Sequence, residues 1–512
     1  LQALESLLDR PFGPAHNPLR HLGALCFLYF WVILASGIYL YIFFDTGVQD
    51  AYQSVEALTL EQPWAGGVLR SLHRYASDAF LVFMLLHLLQ EYLRGRYSRF
   101  RWFSWVSGVP LLWLALGAGI VGFWLVWDRL AQFTALATAE WLDALPLFSE
   151  PLVRNFLYPE SVNDRFFSLT IFLHIGVPLF LLLGAWVHVQ RIAQPEVSPP
   201  WRLTLGTLLM LLVLALVQPV LSHAPADLAT VPGELRFDWF YLGLLPAANG
   251  WPARVVWAVA GAATLLLAVL PWLRLRKPVP LPVAQVDLAN CNGCGRCVQD
   301  CPYNAIVMVP RSDGRRGARQ PLVLPDLCAS CGICAGACPS STPFRSDERL
   351  VTGIDMPQLT IGEVRERMSA ALDRLSGEAK VLVFGCECAG DVAGLEGPGV
   401  AAVNLLCTGM LPPSFVEFAL RSGADGVLVT GCRESDCAYR LGNQLTEQRF
   451  QGAREPHLRA NVPRERMQVA WAARGGEAGL ARELEDFRGR LRSAAYPMHA
   501  APPKRRRVPA RG

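Results

Sequence analysis

The sequence predicts a multidomain fold: an all-α bundle of six membrane-spanning helices, then a small α+β domain, then an α/β domain. Apolar residues make up 52% of the 512 positions and are concentrated before position 277. Thirteen of the fourteen cysteines follow position 290, in a part of the chain with the composition of a soluble protein. Beyond position 379, short apolar runs alternate with helical stretches, which is typical of a sheet covered by crossover helices.

Six segments before position 277 are long and apolar enough to cross a bilayer, which takes about 20 residues per helix. They cover approximately positions 21–44, 71–93, 106–127, 166–189, 203–221 and 255–273. The second segment is the least apolar, because Arg74 and Asp78 interrupt its outer end.

Charge placement predicts the orientation of this bundle. Basic residues cluster in the loop after the second segment and at the exit from the sixth, and the positive-inside rule places both clusters on the cytoplasmic side. The first outer loop is acidic. Both termini are therefore expected in the cytoplasm, with the bundle in the cytoplasmic membrane of a bacterium or archaeon. The basic residues are Arg94, Arg96, Arg99, Arg101, Arg274, Arg276 and Lys277, and the acidic ones are Asp45, Asp50, Glu56 and Glu61.

Four histidines form two pairs with equal separation. His73 and His87 are fourteen residues apart, and so are His174 and His188. This spacing is nearly four helical turns, so each pair lies on one face of a helix, roughly 21 Å apart at about 1.5 Å per residue. A lone membrane histidine is often a packing residue, but two matched pairs predict two bis-histidine b-type haems, one near each membrane surface. The two helices are expected to be antiparallel.

Four glycines repeat the histidine spacing. Gly23 and Gly37 lie on the first segment, and Gly108 and Gly122 lie on the third. Small residues commonly pack membrane helices together. The match to the histidine period instead predicts that each glycine lets a flat macrocycle approach the backbone.

Residues 17–273 resemble cytochrome b of the quinol-oxidising bc-type complexes. The resemblance rests on the histidine and glycine pairs, on GFWLVW at 122–127, on DRFF at 164–167 and on PADLATVPGELRFDWFYL at 225–242. It implies two b haems, a quinone or quinol as substrate, and a homodimer formed through this domain.

The same resemblance implies roles for two further residues. The Pro-Glu-Trp-Tyr quinol motif of the family reads FDWF at 237–240, so Asp238 takes the place of the glutamate while the proline is absent. Asp238 is the candidate catalytic residue of an outer quinone site, with a solvated loop carboxylate as the alternative. Arg70, three residues before His73, matches a haem-propionate arginine, with an interfacial anchor as the alternative.

Two cysteine runs follow a proline-rich linker at 276–285. Each has the form C-x2-C-x2-C-x3-C followed by proline, the run of two-cluster bacterial ferredoxins, in which the fourth cysteine ligates the other cluster. Zinc is the alternative for paired cysteines, but eight with both trailing prolines favour two [4Fe-4S] clusters. The predicted ligand sets are Cys291, Cys294, Cys297 with Cys338, and Cys328, Cys331, Cys334 with Cys301.

A polar helical connector precedes the final domain. There, KVLVFGC, VAAVNLL and GVLVTGC are typical of buried parallel strands, and a crossover helix is predicted after Pro412. Five cysteines fall at strand ends or just past them, where open α/β sheets place ligands, with buried free cysteines as the alternative. The five are Cys386, Cys388, Cys407, Cys432 and Cys437.

Residues 379–490 resemble the delta subunit of methyl-viologen-reducing hydrogenase. The matching segments are LLCTGMLPPSFVEFAL at 405–420 and GADGVLVTGCRESDCAYRLGN at 423–443. The resemblance implies one [2Fe-2S] cluster and a flavoprotein partner similar to the heterodisulfide reductase A subunit. The family spaces its first cysteine pair by two residues, whereas one residue separates Cys386 from Cys388, so one of the two is expected to be spare.

The predicted domains are a cytochrome b-like domain at 1–277, a two-[4Fe-4S] ferredoxin domain at 278–345, a connector at 346–378, a [2Fe-2S] domain at 379–496 and a basic, disordered tail at 497–512. Together they predict a quinone oxidoreductase subunit that links a cytoplasmic flavoprotein, with further dehydrogenase subunits, to the quinone pool. The alternatives are a non-catalytic electron-conducting membrane anchor without a quinone site and a redox-sensing membrane protein. A net charge of +4 indicates no nucleic-acid partner.

Overall fold

A computed structural model describes residues 2–145, 157, 162–273, 281–314, 318–346, 349–389, 392–433, 437–472 and 476–493. The chain forms two compact units, Leu1–Arg191 with Pro195–Lys277 and Ile192–Gln194 with Pro278–Gly512. The basic exit residues Arg274, Arg276 and Lys277, the first half of the predicted linker and the predicted tail lie outside the described residues.

The regular secondary-structure elements in the described part of the first unit are all helices, as its sequence predicts. Helix α2 packs along α4, and α5 packs along α7. The helices are α1 (Gln2–Phe12), α2 (Leu22–Ile42), α3 (Asp50–Leu60), α4 (Val68–Leu93), α5 (Trp102–Trp124), α6 (Arg129–Asp143), α7 (Asp164–Val189), α8 (Trp201–Val217), α9 (Leu244–Asn249) and α10 (Ala253–Val269).

Five helical segments of the described chain are long and apolar enough to cross a membrane. They are Leu22–Ile42, Pro63–Leu93, Arg99–Trp124, Asp164–Val189 and Ala253–Trp272. Five of the six predicted segments are thus confirmed as long apolar helices. The remaining segment, predicted at 203–221, forms the shorter apolar helix α8. It ends at Val217 because Gln218 precedes Pro219, and a residue before proline is driven out of the helical conformation.

Apolar contacts between the helix pairs form the interior of the first unit. Leu25 and Tyr29 of α2, Phe80 of α4, Ala115 of α5 and Leu181 of α7 belong to one buried cluster. Large apolar side chains on the outer faces of these helices remain exposed, which suits contact with lipid tails.

The second unit begins with a small α+β domain. Strand β1 (Gln285–Val286) pairs antiparallel with β4 (Ile354–Asp355), and β2 (Ile306–Pro310) forms an antiparallel hairpin with β3 (Arg319–Val323). Two short helices, α11 (Arg296–Gln299) and α12 (Ile333–Gly336), each follow a glycine in the left-handed conformation. The predicted connector helix is α13 (Ile361–Arg374), which begins with a capping box between Thr360 and Glu363.

The second unit ends with an α/β domain built on a parallel sheet with strand order β6-β5-β7-β8. Strands β5 (Val381–Cys386), β6 (Val400–Leu405) and β7 (Gly426–Cys432) confirm the three predicted strands. Strand β8 (Met467–Ala472) was not predicted, because it is only partly buried and lacks a continuous apolar run. The flanking helices are α14 (Pro413–Arg421), α15 (Gly442–Gln451) and α16 (Glu477–Ser493).

Candidate haem and iron-sulfur sites

Each of the four predicted glycines faces one of the four predicted histidines across a helix pair. A Cβ atom on Gly122 would lie 2.7 Å from Cε1 of His174, which is too close for a real contact. A Cβ atom on Gly37 would lie 3.0 Å from Cε1 of His73. The absence of a side chain is therefore what admits the imidazole. The facing pairs are Gly23 with His87, Gly37 with His73, Gly108 with His188 and Gly122 with His174.

Hydrogen bonds to the facing helix orient the imidazoles of His73 and His174. The Nδ1–H of His73 donates to the carbonyl oxygen of Ile33 at 3.0 Å, and Nδ1 also lies 3.1 Å from Oγ of Ser36. The Nδ1–H of His174 donates to the carbonyl oxygen of Ala118 at 3.0 Å. A carbonyl can only accept, so the proton is on Nδ1 and the lone pair on Nε2 is free to bind a metal.

His188 is held in the same way from the facing helix α5. Its Nδ1 lies 3.1 Å from Oγ of Ser107, whose hydroxyl donates to the carbonyl oxygen of Phe103 at 2.7 Å. Ser36 and Ser107 were missed in the sequence. Each directly precedes one of the spaced glycines, and this repeated Ser-Gly pair is the signal that could have found them.

The distance between the imidazole rings of His73 and His174 fits an iron ion between them. The ring centroids of His73 and His174 are 6.1 Å apart. Metal–nitrogen bonds of about 2 Å on each side, plus about 1 Å from each nitrogen to its ring centre, give about 6 Å.

The histidine pairs also define the relative direction of α4 and α7. His188 lies close enough to His87 for the two rings to interact electrostatically. Because His73 pairs with His174 and His87 with His188, α4 and α7 are parallel, and the expectation of antiparallel helices is wrong.

Asp238 lies in a buried ionic cluster. Its side chain is 3% exposed and forms an ion pair with Arg74, which also pairs with Asp78. The backbone N–H groups of Phe240 and Tyr241 each donate to its Oδ1 at 2.7 Å. The interpretation of Asp238 as a solvated loop carboxylate is therefore wrong, while its catalytic role stays a prediction.

Arg70 is buried in a separate polar network. Its guanidinium donates to Oγ1 of Thr59 and to Oγ of Ser222, both at 2.6 Å, and pairs with Glu56 at 3.3 Å. Its predicted contact with a haem propionate and the alternative, an interfacial anchor, both stay predictions.

The eight cysteines of the ferredoxin domain separate into the two predicted sets. The nearby thiols of Cys338, Cys294 and Cys291 help to raise the pKa of Cys297, and these four cysteines line one cavity. The three other members of its predicted set, Cys331, Cys301 and Cys328, likewise help to raise the pKa of Cys334. The fourth cysteine of each run therefore lies with the other run, as the two-cluster pattern requires.

The buried thiols of these sets need a positive partner. Burial raises the pKa of Cys297 to about 12 and that of Cys334 well above its usual value. A thiolate at either position therefore requires a compensating cation, which the iron of a cluster supplies. Within the described residues, no group of three or more His, Cys, Asp or Glu side chains is arranged to hold a single metal ion. The fit to clusters rests on the type, number and grouping of the thiols.

The five cysteines of the α/β domain converge at the carboxyl end of its sheet. Thiol hydrogen bonds from Cys388, Cys407 and Cys432 lower the pKa of Cys386. Cys437 interacts in the same way with Cys407 and Cys432. The thiols of Cys386, Cys407, Cys437 and Cys432 thus form a closed ring in which each interacts with its two neighbours. Cys388 lies outside this ring, where it interacts with Cys386, Cys437 and Tyr439. We name this group the five-thiol site.

Gly442 completes the five-thiol site and was not singled out in the sequence. It is the first residue of α15, and a Cβ atom there would collide with Sγ of Cys407 and lie 3.2 Å from Sγ of Cys437. The helix can start beside the two sulfur atoms only because this residue has no side chain.

Comparison with known proteins separates the chain into three regions. Residues 8–195 match the family model described as cytochrome b/b6/petB, and residues 290–342 match the 4Fe-4S dicluster domain. Residues 381–494 match the delta subunit of methyl-viologen-reducing hydrogenase. Among solved structures, a chain of a hyperthermophilic respiratory Complex III is similar, with 19% identity over 49% of this chain and 74% of that chain and a TM-score of 0.40.

These matches agree with the three resemblances found in the sequence. A cytochrome b region implies haem, a dicluster region implies [4Fe-4S] clusters, and the apolar helices indicate a membrane protein. The chain is therefore a membrane electron-transfer protein that joins a cytochrome b region, a dicluster ferredoxin region and a region similar to the delta subunit of methyl-viologen-reducing hydrogenase.

Proposed function

We propose that this chain is the membrane subunit of a larger quinone oxidoreductase. It links a cytoplasmic flavoprotein, similar to the heterodisulfide reductase A subunit, and further dehydrogenase subunits to the quinone pool. The observation that carries the proposal is that one chain combines a matched pair of imidazoles at iron-binding separation with three groups of clustered thiols.

The proposed cofactors are two b haems, two [4Fe-4S] clusters and one [2Fe-2S] cluster. When bound, such groups exchange single electrons. His73 with His174 and His87 with His188 hold the haems, and the two four-cysteine sets of the ferredoxin domain hold the [4Fe-4S] clusters. The five-thiol site holds the [2Fe-2S] cluster. Its closed ring favours Cys386 over Cys388 as the ligand.

The proposed topology keeps six membrane crossings. At about 1.5 Å per residue, the 17 residues of α8 extend about 25 Å, which approaches the hydrocarbon thickness of a bilayer. Both termini and the cysteine-rich unit are then cytoplasmic. Asp238 forms part of an outer quinone site, Arg70 contacts a haem propionate, and two copies of the chain associate through the cytochrome b domain.

The native complex tests the proposal. Purified from membranes under anaerobic conditions, it should contain two b haems per chain and a flavin-containing subunit, and a short-chain quinol should reduce the haems. Asp238→Asn is expected to slow this reduction at least tenfold, while Asp45→Asn, which changes an exposed carboxylate predicted on the same side, should not. A complex that contains both haems but neither a flavoprotein nor quinol-dependent haem reduction would contradict the proposal.

One observation favours the alternative of an electron-conducting anchor without its own quinone site. Asp238 is already ion-paired with Arg74 and accepts two backbone hydrogen bonds, so its lone pairs have partners without quinol. Under this alternative, Asp238→Asn leaves quinol-dependent haem reduction unchanged.

A further inference from the structure

We propose that Arg449 is a positioning residue that holds the Cys331 side of the ferredoxin domain against the five-thiol site, so that these two centres exchange electrons directly. The inference rests on the proposed function in one respect, that both centres bind iron-sulfur clusters. It adds an order among the centres and a residue that maintains it.

Arg449 bridges the two domains of the second unit. It is fully buried on α15 of the α/β domain, where it donates to the carbonyl oxygen of Gly409 at 2.7 Å. From the ferredoxin domain, the buried carboxylate of Asp300 pairs with it, and the carbonyl oxygen of Ile333 lies 3.5 Å away. A buried charge is stable only when it is paired, so separating the domains would leave both ions without partners.

The backbones of the two domains approach closely around this ion pair. A Cβ atom on Gly336 would collide with the carbonyl oxygen of Gly409. Gly332, with φ +75°, would bring a Cβ atom within 2.8 Å of Sδ of Met410. Glycines at both positions let α12 contact the loop after Cys407 without intervening side chains.

The close approach brings one ferredoxin cysteine set to the five-thiol site. Cys331 and Ile333 belong to the same buried apolar cluster as Cys407 and Cys437. The thiol of Cys437 lies near enough to influence the charge of Cys331. Tyr439 interacts with both Cys331 and Cys388 and packs against this cluster.

The other cysteine set adjoins the set with Cys331. Cys297 of that set influences Cys334, and Cys294 is exposed to solvent. The order within the second unit is therefore the five-thiol site, then the set with Cys331, then the set with Cys294. Asp300 is adjacent in sequence to Cys301, so the ion pair acts directly on the set with Cys331.

Arg454 supplies a matched control. It pairs with the same carboxylate, its Nη1 lying 2.5 Å from Oδ1 of Asp300, but its side chain is 23% exposed. Removing Arg454 leaves the buried pair intact. If any positive charge near Asp300 were sufficient to hold the two domains together, replacing Arg449 or Arg454 would have the same effect.

The test uses the full chain, purified anaerobically and reduced in steps, with electron paramagnetic resonance as the readout. Two reduced centres in contact split or broaden each other's signals, and the wild type should show this between the [2Fe-2S] signal and one [4Fe-4S] signal. Arg449→Met should abolish the splitting while both signals keep their intensity. Arg454→Gln should preserve it.

Two further variants keep the test decisive if Arg449→Met fails to fold. Asp300→Asn preserves shape and should also lose the splitting, whereas Arg449→Lys keeps the charge and should retain part of it. Splitting that persists in Asp300→Asn, or that is absent from the wild type, overturns the inference. Coupled clusters in a complex that does not react with quinol would support the inference and contradict only the proposed function.

Discussion

The imidazole rings of His73 and His174 lie 6.1 Å apart on two parallel helices, α4 and α7, with an angle of 62° between their planes. Each ring donates its Nδ1–H to a carbonyl oxygen of the neighbouring helix, from Ile33 and Ala118. The lone pairs of the two Nε2 atoms are left free to bind a metal. The facing helices α2 and α5 therefore do more than pack, because they set the tautomer and direction of both ligands.

Gly122→Ala should remove the haem proposed to bind His73 and His174. The added methyl group would lie 2.7 Å from the His174 ring and push the imidazole out of its position. Gly117→Ala, on the same helix with nothing within 4 Å of the new atom, should leave both haems in place. The haem content of the purified variants and their reduced optical spectra measure the effect. Two intact haems in Gly122→Ala would show that the glycine is not required.

Ser107→Ala should raise the midpoint potential of the haem proposed to bind His87 and His188. The variant loses the acceptor for Nδ1–H of His188, so the imidazole donates less electron density to iron. A hydrogen bond worth about 0.5–1.5 kcal/mol corresponds to about 20–60 mV for a one-electron couple. A redox titration of the haem absorbance measures it. Ser168→Ala, an exposed position on α7, serves as the control, and equal shifts in both variants would contradict the prediction.

Gly442→Ala should prevent cluster assembly at the five-thiol site. Its methyl group would occupy the position of Sγ of Cys407, next to Sγ of Cys437. Iron and sulfide analysis should show the loss of one cluster, while the [4Fe-4S] signals remain. Gly394→Ala adds a methyl group where nothing lies within 4 Å and should retain every cluster.

The two neighbouring cysteines of the five-thiol site should differ when replaced. Cys386→Ser breaks the closed ring of four thiols and should eliminate the [2Fe-2S] resonance signal. Cys388→Ser removes a thiol that lies outside this ring, so the signal should persist with at most a small shift. The reverse result would assign Cys388 as the ligand.

Asp355 should make the stability of the second unit depend on pH. Burial raises the pKa of this carboxyl group above its ordinary value. The folded state therefore holds the proton to higher pH than the unfolded state, and the free energy of unfolding falls as pH rises through the raised pKa. Asp355→Asn should flatten this dependence. Thermal unfolding of both proteins from acidic to neutral pH measures the difference, and parallel curves would contradict the prediction.

Much of the architecture could be predicted because its signals are local. The fourteen-residue histidine and glycine spacings depend only on the regular rise of a helix, and the cysteine runs depend on short loops between neighbouring ligands. The three strands β5, β6 and β7 are continuous apolar runs. The end of α8 also had a local signal, Pro219. The predicted segment continued past this proline because hydropathy averaged over many residues does not register a single proline.

The sequence by itself determined the candidate ligand residues, their predicted pairing and the three regions of the chain. Only the tertiary structure decided the partners of Asp238, the outlying position of Cys388, the need for Gly442 and the bridging role of Arg449. Arg449 and Asp300 are 149 residues apart, and neither residue type nor spacing encodes their contact. Such pairs form because the folded backbone buries both charges at one place, where each is stable only with the other.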